Sequence, residues 1–195
     1  MTKIGVLALQ GDVAEHEAML VQSGAEPVAV KRADQLDDVA GLIIPGGEST
    51  TIGKLLRRFE LLDLLRERAR SGFPVYGTCA GMILLADEIE DSGVDQPAIG
   101  GMDITVQRNA FGRQRESFET DLSIPKVEGG PLHAVFIRAP LIKRLGRGVE
   151  ALASLEDGRT VAARQDNLLV TSFHPELTGD SRMHRYFVDM VEAVR

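Results

Sequence analysis

Short apolar runs alternate along the chain with longer stretches in which apolar positions recur every three or four residues. Ile4–Leu9 reads as a buried strand, and Asp12 stands where an N-cap would open a helix through about Ser23, with Gly24 as its stop. Pro27–Val30 predicts a second strand, and Gly41–Ile44 a third that ends abruptly at Pro45-Gly46-Gly47. Leu61, Leu62, Leu64, Leu65 and Ala69 form a helical stripe among Arg66, Glu67, Arg68 and Arg70, closed by Gly72. Pro74–Tyr76 predicts a fourth strand, followed by a glycine-flanked turn and the apolar helix Ala80–Ala86. The first half therefore reads β-α-β-β-α-β-α. Uninterrupted apolar strands between helices indicate a parallel sheet covered on both faces.

The second half changes character. Met102–Gln107, Phe118–Leu122, His133–Ile137, Val149–Leu155, Thr160–Arg164 and Leu168–Ser172 all read as strands, separated by turn signals such as Glu156-Asp157-Gly158 and Gln165-Asp166-Asn167. The last two pairs of neighbours read as hairpins. A closing helix, roughly Ser181–Val194, carries Met183, Tyr186, Phe187, Met190, Val191 and Val194 at helical spacing. With no repeat, linker or low-complexity tract, residues 1–195 predict a single α/β domain with an antiparallel extension.

Composition narrows the chemistry. At 195 residues the chain has one domain's length, and its net charge of −7 argues against a protein that binds nucleic acid by neutralising phosphates. The first apolar run is too short for a signal peptide's core, and no later stretch approaches the roughly 20 apolar residues of a membrane span. A soluble, cytoplasmic protein is expected. The single cysteine excludes an internal disulfide, a four-thiolate zinc site and a CxxC redox pair. If Cys79 matters, it matters as a thiol.

Gly77-Thr78-Cys79-Ala80-Gly81 lies between a buried strand and an apolar helix. This is the G-x-nucleophile-x-G elbow with cysteine as nucleophile, and the turn sets the thiol at a helix N-terminus, where the dipole favours thiolate. A thiolate needs a proton relay, and the relay needs an orienting acceptor. His16, His133 and His184 sit in settings that suit packed or solvated side chains. His174 differs, because it precedes Pro175, which biases it toward an extended conformation from which Glu176 can reach its ring. The third piece is Pro45-Gly46-Gly47-Glu48-Ser49-Thr50-Thr51 at the end of the third strand. Its glycines let backbone N–H groups face a cleft, so the N–H groups of Gly47 and Ala80 are the candidate oxyanion hole. A phosphate-cradling loop is the weaker reading, since Glu48 and Leu55 stand where that motif requires glycine and a hydroxyl residue. All three pieces fall at carboxyl ends of predicted strands, where open α/β sheets place ligands.

The Gly-Gly-Glu-Ser loop, the Gly-x-Cys-x-Gly elbow and the late His-Pro-Glu resemble the class I, or triad, glutamine amidotransferases. More closely, Leu9-Gln10-Gly11, Pro45–Thr51, Gly77–Gly81, Arg108–Gln114, Phe136–Pro140 and Ser172–Thr178 are similar to the glutaminase subunits of pyridoxal 5′-phosphate synthase. The resemblance implies a flavodoxin-like three-layer sandwich with a central, mostly parallel sheet and an antiparallel extension. It implies that glutamine is hydrolysed to glutamate and ammonia by Cys79, His174 and Glu176. Gly47, Glu48, Ser49, Arg108, Ile137 and Arg138 would bind glutamine, with no metal or cofactor. It further implies a large hetero-oligomer with a synthase subunit that joins the ammonia to a pentose phosphate and a triose phosphate.

Ammonia released free would be lost to water, which is a physical reason for hydrolysis to wait for the partner. The expectation is that the Gly46-Gly47 peptide is turned away from the oxyanion until the synthase docks, with Gln10 sensing the contact. The rival readings are a glutaminase serving purine or histidine synthesis, a non-catalytic binding module of the same fold, and a stand-alone cysteine hydrolase.

Overall fold

Side chains alternate across the apolar strands, and this decides which layer each residue enters. In the computed structural model, which describes residues 1–91, 95–108, 110 and 117–194, the strand Leu42–Ile44 (β3) sends Leu42 and Ile44 to one face and Ile43 to the other. Its neighbours Lys3–Leu7 (β1), Glu26–Val30 (β2), Val75–Thr78 (β4) and Leu168–Thr171 (β12) run parallel to one another through β3 and β4. The order β2-β1-β3-β4-β12 is the doubly wound one. One face is covered by the helices Ser49–Arg58 (α2), Leu62–Arg70 (α3) and Ala80–Leu85 (α4), whose Ile52, Leu56, Leu62, Leu65 and Ile83 enter the first core. The other carries Val13–Gln22 (α1) and Arg182–Ala193 (α5), with Leu20, Met183, Phe187 and Val191 in the second core.

The parallel strands continue into Thr160–Gln165 (β11), Leu141–Leu145 (β9), Met102–Gln107 (β6) and Ala86–Glu90 (β5), with Glu150–Ser154 (β10) paired to β11. The β12–β11, β11–β10, β11–β9 and β9–β6 pairings are antiparallel, which is the expected extension, although β5 returns parallel to β6. Ser117–Leu122 (β7) and Leu132–Ile137 (β8) pair only with each other, as a separate ribbon over the second core. The hydrophobic pattern therefore predicts the three layers. Among the described residues, no helix is long and apolar enough to cross a membrane.

Four local expectations are corrected. Asp12 precedes α1, but its side chain caps nothing. Residues 49–58 form a helix where the sequence reading has Ser49–Thr51 in a loop and assigns no element to 52–58; Gly53 within it is needed, since a Cβ there would stand 2.7 Å from the Pro97 carbonyl oxygen. Neither β5 nor β9 is expected, since charged residues mask their alternation. Finally, β12 stops at Thr171, and Pro175–Leu177 is a turn of 3-10 helix rather than extended chain.

Candidate active site

The elbow is a steric necessity of the sequence around Cys79. A Cβ on Gly77 would lie 2.5 Å from the Gly81 carbonyl carbon, and one on Gly81 would lie 2.2 Å from the Ile44 carbonyl oxygen. Only glycine lets β4, β3 and the first turn of α4 approach so closely. Cys79 itself takes φ 50°, a conformation costly for a non-glycine residue, and its N–H bonds to the Thr171 carbonyl at 2.8 Å. The Met82 and Ile83 N–H groups bond the Cys79 carbonyl, so the thiol stands at the mouth of α4.

His174 arrives from the chain after β12, and its N–H bonds to the Val135 carbonyl of β8 at 2.8 Å. Its Nδ1 lies 2.7 Å from Glu176 Oε1 and 3.6 Å from Asp12 Oδ2. The His-Pro-Glu pair does meet, but through the 3-10 turn that starts at Pro175 rather than by alternation along a strand. With Nδ1 committed to Glu176, Nε2 is left for Cys79. Burial pulls the imidazolium down, yet hydrogen bonds with the Cys79 and Glu176 side chains, and their charges, outweigh it and raise His174 to about 10. Burial also raises the Glu176 carboxyl, opposed by its hydrogen bond to His174. Gly46 fixes the ring from its open side, since a Cβ there would sit 2.4 Å from His174 Cε1.

Cys79 and His174 line a cleft of about 580 Å³ together with Gly47, Glu48, Ser49, Ala80, Arg108, Ile137 and Arg138. Nine of the expected site residues thus meet there, and Glu176 stands behind His174 with 4% exposure. A larger hollow of about 830 Å³, lined by Met1, Lys3, Arg68 and Val194 among others, is on another part of the surface and is lined by neither cysteine nor histidine. Of the Arg108–Gln114 stretch, Asn109 and residues 111–114 lie outside the described residues.

The side chains of the Gly-Gly-Glu-Ser loop have structural duties as well. Glu48 accepts the N–H groups of Thr50 and Thr51 at 3.1 and 2.7 Å and so caps α2. Burial alone would raise its carboxyl, but these hydrogen bonds, with that from the Thr51 hydroxyl, hold it below its usual range. Arg108 reaches Glu48 at 3.4 Å, which places a guanidinium against the cleft. The Ser49 hydroxyl donates to Gln96 Oε1 at 3.0 Å, so only its remaining surface faces the cleft. Gln10 Oε1 accepts the Glu48 N–H at 2.9 Å and lies 2.5 Å from where a Gly47 Cβ would be. The chain after β1 thereby latches the glycine loop.

Sequence reasoning misses Asp12, Gln96 and the surroundings of Glu176. Nothing in local pattern marks Gln96, which reaches Ser49 across 47 residues. Asp12, His174 and Glu176 bring potential metal-ligand atoms within 4.8 Å, and His174 Nδ1 among them is already bonded to Glu176. His133, exposed on β8, is flanked by Asp121 and Glu119 at 2.8 Å each, as a solvated side chain would be.

Comparison with known proteins bears on this site. The model of the SNO glutamine amidotransferase family matches residues 6–193. The chain is 60% identical over 191 residues to the pyridoxal 5′-phosphate synthase subunit PdxT of Frankia alni, covering 98% of this chain and 96% of that one. It is 61% identical to the PdxT subunit of Mycobacteroides abscessus, covering 97% of each. A solved structure described as a glutamine amidotransferase superposes with a TM-score of 0.91 at 49% identity, over 97% of this chain and 98% of that one. A chain of PurLQS from Thermotoga maritima, 18% identical with a TM-score of 0.69 over 100% and 99% of the two chains, shares the fold.

Proposed function

Since the chain belongs to the SNO glutamine amidotransferase family, we propose that it is the glutaminase half of a two-subunit pyridoxal 5′-phosphate synthase, working in the cytoplasm as a single domain over residues 1–195. The observation that carries this reading is the line from Cys79 on its strained elbow through His174 to Glu176, opening on a cleft with two arginines.

In this reading, the Cys79 sulfur attacks the side-chain amide carbon of glutamine while His174 carries the thiol's proton. The developing oxyanion takes hydrogen bonds from the N–H groups of Gly47 and Ala80, an interaction whose single donors are each worth about 100- to 1,000-fold in rate. His174 then donates its proton through Nε2 to the departing nitrogen, so ammonia leaves as a neutral molecule and a thioester remains. Water, deprotonated by the same imidazole, attacks the thioester, and glutamate departs as the thiol is restored. Glu176 accepts the Nδ1–H throughout and holds the ring in one tautomer. Arg108 and Arg138 suit the substrate's carboxylate, and Glu48 suits its ammonium. Ile137 supplies an apolar wall for the methylenes, and the backbone at Gly47 and Ser49 closes the opposite side.

The neutral ammonia is passed to the synthase subunit, which joins it to the two sugar phosphates. Cys79→Ala is expected to abolish glutamine hydrolysis, measured as glutamate formed in the presence of the synthase, while leaving the melting profile and complex formation unchanged. Residual hydrolysis at the wild-type rate would remove Cys79 as nucleophile.

A further inference from the structure

Behind the triad lies a buried polar chain that the reaction scheme leaves idle. Glu176 uses Oε1 for His174; its Oε2 is fully buried and, among the described residues, has no hydrogen-bond partner. The nearest candidate is His16 Nε2, at 3.6 Å. His16, in the first turns of α1, is wholly buried, with Nε2 3.2 Å from the Thr78 hydroxyl and Nδ1 2.8 Å from Nε2 of His184 on α5. His184 is also wholly buried, and its Nδ1 finds no partner among the described residues.

Two proton arrangements satisfy the short His16–His184 contact. If His16 Nδ1–H donates, His184 must carry its own proton on Nδ1, an unpaired buried donor, and His16 turns a lone pair toward the Glu176 carboxylate. If instead His184 Nε2–H donates, the unpaired atom is a ring lone pair, and His16 presents Nε2–H to Glu176 Oε2 and Thr78 Oγ1. The second arrangement replaces a repulsion by an attraction and leaves no ring N–H orphaned. We propose that His16, set in the Nε2–H tautomer by His184, is a positioning residue that donates to the oxygen of Glu176 which His174 does not use. This rests on the glutaminase reading of Cys79, His174 and Glu176.

Both imidazoles are suited to a fixed donor because neither charges near neutrality. Burial, then the charges of His184 and His174, hold His16 well below 6.5, and burial takes His184 down to about 3. Glu176 faces His174 and His16, and Asp12 stands 3.6 Å from His174 Nδ1 as the other nearby carboxylate. A donor on Oε2 favours ionised Glu176, which favours protonated His174, which in turn favours the Cys79 thiolate.

Heteronuclear NMR of the histidine side chains in the wild-type chain reads the tautomers directly. Nε2–H forms are expected for both His16 and His184, and an Nδ1–H form at His16 overturns the proposal whether or not any variant folds. Because Cys79 is the sole cysteine, the pH profile of alkylation by iodoacetamide reports its thiolate alone. His16→Leu is expected to move that profile to higher pH and to lower kcat for glutamine about tenfold in the synthase complex, with KM little changed. His16→Gln, whose amide N–H can take the place of Nε2–H, should recover most of both. A folded His16→Leu protein with the wild-type profile and kcat overturns the proposal. Glu176→Gln, measured alongside, separates the two readings. If it leaves hydrolysis and alkylation unchanged the triad is wrong, and if it alters them while His16→Leu does not, only the role of His16 falls.

Discussion

At the scale of single residues, the site depends on how burial and pairing compete around His174. Burial disfavours the imidazolium, yet contact with Cys79 and Glu176 more than compensates and lifts it from 6.5 to about 10. A group whose folded-state pKa is raised contributes stability that is full below its unfolded value and is lost as pH rises through its folded value. His174 should therefore support the fold up to about pH 6.5 and lose that contribution progressively toward pH 10. Urea unfolding of the wild type and of His174→Gln across this range tests the point: the wild type's advantage should shrink as the solution becomes alkaline. An advantage that is constant or grows with pH would mean that His174 is neutral in the folded protein. The proposed catalytic residues stand out in the sequence because the residues that shape their backbone are their near neighbours. Glycines 77 and 81 flank Cys79, where a Cβ would run into the Gly81 and Ile44 backbone, and Pro175 opens the 3-10 turn directly after His174. His16 and His184 are not legible as partners, because 168 residues separate them and each alone reads as a packed or solvated side chain.

At the scale of elements, the informative case is α2. Its polar face and Gly53 hide it in the sequence, and the run Pro45–Gly47 before it reads as loop, yet it forms ten residues of helix. What starts it is Glu48, whose carboxylate accepts two N–H groups of the first turn and also meets its dipole. Glu48→Ala should then cost about 1 kcal/mol, on the scale of other lost N-caps, and lower Tm by about 2–4 °C in a chain of this size. Thermal melts check it. The same variant frees Arg108 from its 3.4 Å contact, so KM for glutamine should rise as well, whereas a Tm drop without a KM change would make Glu48 structural only. The parallel strands β1, β3, β4 and β12 are legible because burial on both faces makes them continuously apolar. Strands β5 and β9 are not, since each is half exposed and carries Asp, Glu, Lys or Arg at positions that alternation alone cannot assign.

At the scale of the whole molecule, the cleft lies where the doubly wound sheet opens, at the carboxyl ends of β1, β3 and β4, and two large apolar side chains stand exposed among its polar lining. Ile137 and Leu177 line the cleft at 40% and 43% exposure. Large apolar side chains left half exposed beside a reactive thiol are suited to being covered by another protein, and the synthase subunit is the partner the proposed function supplies. In the proposed function, coverage there reaches the oxyanion site through Gln10, which follows the first strand into the cleft and holds the Glu48 N–H directly beside Gly47. If docking draws Gln10 away, the Gly46-Gly47 peptide is released to turn its N–H toward the oxyanion. Glutamine turnover should consequently rise about 100-fold or more on adding the synthase, the scale of one oxyanion donor gained. Gln10→Ala, which cuts the latch without touching the triad, should narrow that ratio in steady-state assays run with and without the partner. Equal turnover in the two assays for the wild-type protein would dispose of the coupling, and an unchanged ratio in Gln10→Ala would show that the signal reaches the glycine loop by another route.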